Sequence, residues 1–275
     1  MNCAITTQND YQGVIFLDII TAYAVKNDCY INKQPMHPVG ILLHSTGANN
    51  PNLKRYVDCK SECGLNLYNN HWNNPSKKIG QVCVHSFIGY DKNKNVRVAN
   101  ILPYNYAAWG CGSGSKGSYN YNPYGHIQIE LCEDNLKNAE YFNKVYQTAV
   151  EYCAMLCKQF GINPSTIVSH AEAYKKGYAS NHKDCDHWFA MHGKTMYDFR
   201  RAVQYLVSGT YLVKVTATVL NVRQNAGTNN PIVTTIKMNE VYTIVEEKMV
   251  NGVKWGKLKS QVGWICLDYT ERFMA

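Results

Sequence analysis

The chain has 275 residues, 45% of them hydrophobic and 17% charged, with 28 basic against 20 acidic side chains and a formal net charge of +8. A charged share below the roughly 25% of an average soluble protein, beside that hydrophobic content, excludes a disordered chain, and at about 150 residues per domain the length fits one large domain or two unequal ones. The positive balance favours an anionic partner, but the Lys and Arg are scattered and no GxxxxGKS loop, GxGxxG loop or aromatic–basic RNP pattern occurs, so nucleic acid is not indicated.

The first residues, MNCAITTQNDYQG, lack the basic start and apolar core of a signal peptide, and no apolar run approaches the 18 or so residues of a membrane span. The expectation is a chain that starts in the cytosol and has no membrane partner. Apolar positions at helical spacing over residues 9–25 predict a helix. Val39 to Thr46 reads as a short apolar strand that ends abruptly in His44, Ser45 and Thr46 before the turn-forming Gly47-Ala-Asn-Asn-Pro51. Further strands are expected at 81–89, 96–102 and 126–132, with a Gly, Ser, Tyr and Asn-rich surface loop over 109–124, a length that usually carries function.

From Ala139 a period near 3.6 runs to residue 160 and stops at Gly161, which predicts a long helix. A second helix is expected from about Thr195, closing a first domain over residues 1–207. Beyond Gly209 the helical period gives way to short β-branched runs at regular intervals, and Asn251-Gly252 is a two-residue hairpin signal. Residues 210–275 therefore read as a small β-barrel.

Eleven Cys is an odd number, and several (Cys83, Cys132, Cys153, Cys157) sit among apolar neighbours, where a reduced thiol behaves as a small hydrophobe. Cys59 and Cys63 form a CxxxC with no second pair at finger spacing. Of the nine His, His44, His170, His182 and His187 stand at a strand end or in a loop, the last two beside Asp184, Cys185 and Asp186. Imidazole and carboxylate are zinc ligands, and three of them leave a fourth tetrahedral position open. No HExxH occurs, so such ligands would converge from elements more than a hundred residues apart.

The segments Ile41-Leu-Leu-His-Ser-Thr46, Val82-Cys-Val-His-Ser-Phe-Ile-Gly89, Ala107-Ala-Trp109, Ile127-Gln-Ile-Glu-Leu131 and Ser169 to Trp188 occur in the order found in zinc N-acetylmuramoyl-L-alanine amidases. Over residues 36–206 the chain resembles this amidase-2, peptidoglycan-recognition-like family, and most of all its phage endolysins. The resemblance implies an α/β fold, a mixed central sheet flanked by helices, and zinc as the cofactor. It implies His44, His170 and Asp184 as metal ligands, with Cys185 as the alternative third one, and Glu130 and His182 as catalytic residues. His85 and Trp109 are expected to contact or orient substrate. His187 and Trp188 are read as packing and supporting groups. The family often has a His after the Ala-Trp pair where this chain has Gly110, and some members a Tyr where it has Val84, which leaves the Glu-based chemistry.

In the tail, Leu220-Asn-Val-Arg223, Trp255-Gly-Lys257 and Gly263-Trp-Ile265 resemble a bacterial SH3-like domain, and imply an aromatic groove for wall peptide to which Trp255 and Trp264 contribute. The implied function is cleavage of the amide between N-acetylmuramic acid and L-alanine by a phage or prophage lysin. Its partner is bacterial peptidoglycan, with no obligate protein partner, reached from the cytoplasm after host lysis or through a separate pore. The alternatives are a wall-recognition protein without catalysis, which zinc content distinguishes, and a Cys-His hydrolase using Cys185.

Overall fold

The structure, a computed structural model, describes residues 4–5, 17–74 and 82–273. The chain divides into two compact units, Met1–Val203 and Gln204–Ala275.

In the first unit seven strands make one mixed sheet: β1 (Ala4–Ile5), β2 (Ile19–Thr21), β3 (Gly40–Ser45), β4 (Ser86–Tyr90), β5 (Val96–Asn100), β6 (His126–Leu131) and β7 (Val168–Ser169), in the spatial order β1-β2-β5-β4-β6-β3-β7. β3 runs parallel to both β6 and β7, and β6 parallel to β4, whereas β4 and β5 are antiparallel. Strands paired in parallel on both sides are covered on both faces and read as apolar runs rather than alternations. That is the case for β3, in which every residue from Gly40 to Ser45 is buried. Because β3, β4, β6 and β7 all point the same way, His44 and Glu130 come out at the same rim, directly opposite each other in the β3–β6 register.

Helix α1 spans Asp28–Asn32, α2 Ala139–Phe160, α3 His170–Lys176, α4 Asp186–Met191 and α5 Met196–Ser208. The predicted long helix is α2, with matching ends: the Asn138 side chain accepts from the Tyr141 N–H at its start, and Gly161 adopts the left-handed conformation (φ 66°) at its end. Its apolar stripe, including Tyr141, Phe142, Val145, Tyr146 and Ala149, is buried. Phe142 meets Trp188 edge-on at 5.3 Å and stacks on His192 at 4.1 Å, and Tyr146 meets Phe199 at 5.4 Å, which locks α2 against α4 and the start of α5.

The second unit is antiparallel throughout: β8 (Tyr211–Val215), β9 (Val219–Arg223), β10 (Ile232–Lys237), β11 (Val241–Val250), β12 (Val253–Leu258), β13 (Trp264–Cys266) and β14 (Thr270–Arg272), in the order β10-β9-β13-β12-β11-β8-β14. Its core is Val213, Val215, Leu220, Val222, Ile236, Ile244, Leu258 and Ile265. Asn251 and Gly252 join β11 to β12 with φ values of 50° and 77°, the paired positive angles of a tight hairpin turn.

Three expectations change. The helix expected over residues 9–25 is absent from its described part: Ile19, Ile20 and Thr21, β-branched residues suited to a pleated surface, pair with Val98, Ala99 and Asn100 of β5, and residues 9–16 lie outside the described residues. The stretch 109–124 is not wholly a surface loop, since Cys111, Ser118, Tyr119 and Asn120 are buried in it. Trp255 and Trp264, at 3% and 7% exposure, pack with Cys266 into a satellite cluster and offer almost no surface to a ligand. All ten described cysteines are buried, as most were expected to be.

Replacing Phe142 by Ala removes the ring that α2 shares with α4. The expected cost is about 3–5 kcal/mol, read as a lower urea midpoint for the first unit with an unchanged denaturant slope.

Candidate metal centre

His44 lies one residue before the end of β3, and His170 opens α3 immediately after β7. The start of α3 is fixed by a capping box: Ser169 Oγ accepts from the Glu172 N–H at 3.1 Å, and Glu172 Oε2 accepts from the Ser169 N–H at 3.3 Å. Arg200 grips the same Glu172 with two bonds, 2.8 and 3.1 Å long. Asp184 joins through its backbone, its C=O accepting from the Ala171 N–H at 3.2 Å. A neighbouring bond from Ser169 Oγ to Asp186 Oδ2, 3.0 Å, ties the start of α4 to the start of α3.

These constraints bring three atoms to one point. His44 Nδ1 is 3.0 Å from His170 Nδ1, and Asp184 Oδ2 is 3.3 Å from the first and 3.6 Å from the second. Donor atoms on a tetrahedral zinc at about 2.0–2.1 Å stand about 3.4 Å apart, so the spacing suits that ion. The proton inventory agrees. The Gln128 amide gives its N–H groups to the Ala108 carbonyl (3.1 Å) and to Asn120 Oδ1 (2.7 Å), which fixes its orientation and turns Oε1 toward His44 Nε2 at 3.1 Å. Oε1 can only accept, so His44 carries its proton on Nε2 and presents a bare Nδ1 lone pair to its neighbours. A lone pair facing a carboxylate and a second imidazole in a buried site calls for a cation between them, and the residues present fit one. Among the described residues this is the only such grouping of His, Cys, Asp or Glu.

Both imidazoles are 2% exposed. Burial lowers the His44 pKa, against the pull of the neighbouring Asp184 carboxylate, and so favours the neutral ring that a metal ligand needs. Burial alone would raise the Asp184 carboxyl, but the His170 and His44 rings beside Oδ2, which donate to it whenever they carry a proton there, outweigh that and hold it well below the usual carboxylate range.

The grouping stands in a cleft of about 560 Å³ that Glu130, His182, Lys183 and His187 also line. Glu130 Oε2 is buried without a hydrogen-bond partner. Burial, then the Asp184 and Glu133 carboxylates, push the Glu130 pKa well above its ordinary value, so this carboxyl takes up a proton readily. The His182 ring stands 4.6 Å from that of His170. His187 Nε2 lies 3.0 Å from Glu133 Oε1, and Trp188 is fully buried in the core.

Of the expected site residues, His44, His170, Asp184, Glu130 and His182 come together. His85 does not reach the cleft. It is fully buried, its Nδ1 accepting from the Gln128 N–H at 2.9 Å and its Nε2 donating to the Tyr106 carbonyl at 2.9 Å, and burial lowers its pKa to about 4. It therefore holds the backbone of the residue that orients His44 and does not touch substrate. Trp109 packs half-buried against the core around Val84 and Ala108, and it is the neighbouring Gly110 that lines the cleft. Cys185 is fully buried, and burial with the nearby Asp186 and Asp184 charges raises its thiol well above the usual value; it is Asp184, not Cys185, whose side chain stands with His44 and His170.

Sequence reasoning missed Gln128 and Ser180, whose Oγ reaches His170 Nε2 at 3.4 Å. For Gln128 a signal existed: on a strand of period two it shares a face with Glu130, and β6 pairs in register with the His44 strand.

A family model described as N-acetylmuramoyl-L-alanine amidase matches residues 34–188, and one described as a bacterial SH3 domain matches residues 218–270. The chain is similar to the endolysin PlyTW of Staphylococcus phage Twort, at 29% identity over 147 residues, a match covering 52% of this chain and 26% of that protein. It thus spans about a quarter of the length of the curated relative it matches. Solved structures similar to it include a mutant endolysin from Bacillus subtilis (18% identity, TM-score 0.47, 68% of this chain and 99% of that one). Another is the Staphylococcus aureus hydrolase AmiA in complex with its ligand (16% identity, TM-score 0.43, 71% of this chain and 86% of that one).

Gln128→Met keeps the volume but removes the acceptor that sets the His44 tautomer. Loss of such a supporting partner costs 10–100-fold in metal affinity, and that weakening is expected in chelator competition on the zinc-loaded protein. Gly110→Ala should weaken it too, because its methyl group would stand 2.5 Å from Gln128 Oε1.

Proposed function

The chain belongs to the N-acetylmuramoyl-L-alanine amidase family, and from that premise we propose that it is a zinc-dependent hydrolase that cuts the amide between N-acetylmuramic acid and the L-alanine of the peptidoglycan stem peptide, in the manner of a phage endolysin. The observation that carries the proposal is the convergence of His44 Nδ1, His170 Nδ1 and Asp184 Oδ2 in a cleft that also holds an unpartnered buried carboxyl, Glu130.

Zinc held by those three atoms supplies Lewis acidity toward a carbonyl oxygen and makes a bound water more acidic. The remaining work falls to the protein. Glu130, opposite His44 in the sheet, takes the proton of the attacking water on its carboxylate and returns it to the departing amine of L-alanine, which cannot leave as an anion. Its raised pKa serves the second half of that exchange, since a readily protonated carboxyl holds the proton until the C–N bond breaks. His182, at the cleft and next to His170, stands where its ring can face the negative charge that develops on the carbonyl oxygen.

The C-terminal unit has the role of holding the enzyme to the wall, which raises the local substrate concentration without new contacts at the cleft. Among the described residues no helix is long and apolar enough to cross a membrane, and the proposed site of action is the cell wall, after release from the producing cell by lysis or through a separate pore.

Purified protein is expected to hold about one zinc per chain, and wall digests should show newly freed N-terminal alanine by mass spectrometry; cleavage at another bond, or activity unaffected by complete zinc removal, would overturn the assignment. Glu130→Gln should keep the metal and lose wall-lytic activity by orders of magnitude. Deleting residues 209–275 should reduce binding to whole walls more than cleavage of a small soluble muropeptide.

A further inference from the structure

Ser180 lies in the segment between α3 and α4, in neither of the roles the cleft residues fill. Its Oγ donates to the Cys111 carbonyl at 3.1 Å, and the same carbonyl accepts from the Ser180 N–H at 2.9 Å. The same oxygen stands 3.4 Å from His170 Nε2 and 3.1 Å from His182 Nδ1. A hydroxyl has one proton and two acceptor lone pairs. With the proton directed at Cys111, whose carbonyl can only accept, both lone pairs face imidazole nitrogens, so both nitrogens must be N–H donors.

We propose that Ser180 is a positioning residue for the amidase reaction, bridging a metal ligand and the catalytic histidine: its single hydroxyl oxygen accepts from His170 Nε2–H and His182 Nδ1–H, and thereby sets the tautomer of both rings. The inference rests on the zinc amidase reading above. For His170 it leaves Nδ1, the nitrogen beside His44 and Asp184, as the lone pair. For His182 it leaves Nε2 as the nitrogen free for the cleft.

The approach of Cys111 to Ser180 depends on the residue that follows. Gly112 has φ 64°, and a methyl group there would stand 3.0 Å from Ser180 Oγ and 3.1 Å from its Cβ. Ser118 Oγ and Asn120 Nδ2 both donate to the Gly112 carbonyl, the second at 3.3 Å, and Asn120 Oδ1 accepts from the Cys111 N–H at 3.2 Å. The position of the hydroxyl is thus built into the turn.

The test uses the full-length chain with uniform 15N labelling, with and without zinc. In the unsubstituted protein, long-range 1H–15N correlation is expected to show neutral His182 protonated on Nδ1 and zinc-loaded His170 protonated on Nε2. In Ser180→Ala the His182 signal should move to a tautomer mixture, chelator-driven zinc release should accelerate about tenfold, and kcat/KM on a soluble muropeptide should fall 10–100-fold. Ser180→Thr, which keeps the hydroxyl, should restore all three. Should Ser180→Ala not fold, Ser180→Cys, nearly isosteric but a poor acceptor, is expected to show the same losses. An unsubstituted protein with His182 protonated on Nε2, or a folded Ala or Cys variant with unchanged tautomers, zinc release and kcat/KM, would overturn the inference. The tautomers are read whether or not the protein is an amidase, so failure of the functional proposal is recognised separately, by wall digests with no freed alanine.

Discussion

Everything at the cleft depends on an arrangement that a protein interior resists: nitrogen lone pairs and a carboxylate oxygen held face to face within 3.6 Å, away from water. Such a cluster repels itself unless positive charge enters it, so it persists only where the surrounding fold fixes each member from behind. The fixing is done by groups that cannot reverse their hydrogen-bonding sense. Gln128 is held by the Ala108 carbonyl and Asn120, and can only accept from His44. The capping box and the Arg200 fork leave α3 one starting point and His170 one place.

Much of this support traces to one short turn. Gly110 packs against the amide that holds His44, the Cys111 carbonyl receives the serine next to His170, and Gly112 takes the positive φ that lets the two approach. Asn120, nine residues after Cys111, bonds both Cys111 and Gln128. The stretch that reads as a polar loop is thus an inner wall of the site. A side chain at position 110 would occupy the space of the Gln128 amide, which gives a physical reason for glycine where the resembling family often has histidine.

The residues that converge at the cleft could be singled out in the sequence through the family resemblance, and two of them carry local marks as well. His44 closes an apolar strand, and His170 follows a serine three residues before a glutamate, the mark of a helix start. The helix α2 and the 251–252 hairpin were equally plain, since period and turn chemistry are local. What failed was whatever depended on partners far along the chain. Ile19 to Thr21 carry a helical period with their neighbours and still join a sheet, because β5 offers them an edge. His85 looked like a cleft residue because it is a histidine beside a strand, and nothing local revealed that Tyr106 and Gln128 enclose it. Trp255 and Trp264 looked like ligand platforms, but so small a unit needs its largest rings as filler.

The buried thiols have a consequence of their own. Ten cysteines lie under the surface of a chain proposed to pass from a reducing cell interior into air-exposed surroundings, and burial raises the pKa of Cys83, Cys132, Cys153 and Cys185 well above that of a free thiol. While folded, these ten thiols are slow to meet oxidants, because the reactive thiolate is scarce and shielded. Once opened, it exposes many sulfurs at once, and random cross-linking then competes with refolding, so each molecule's working life outside the cell is set by how slowly it first unfolds.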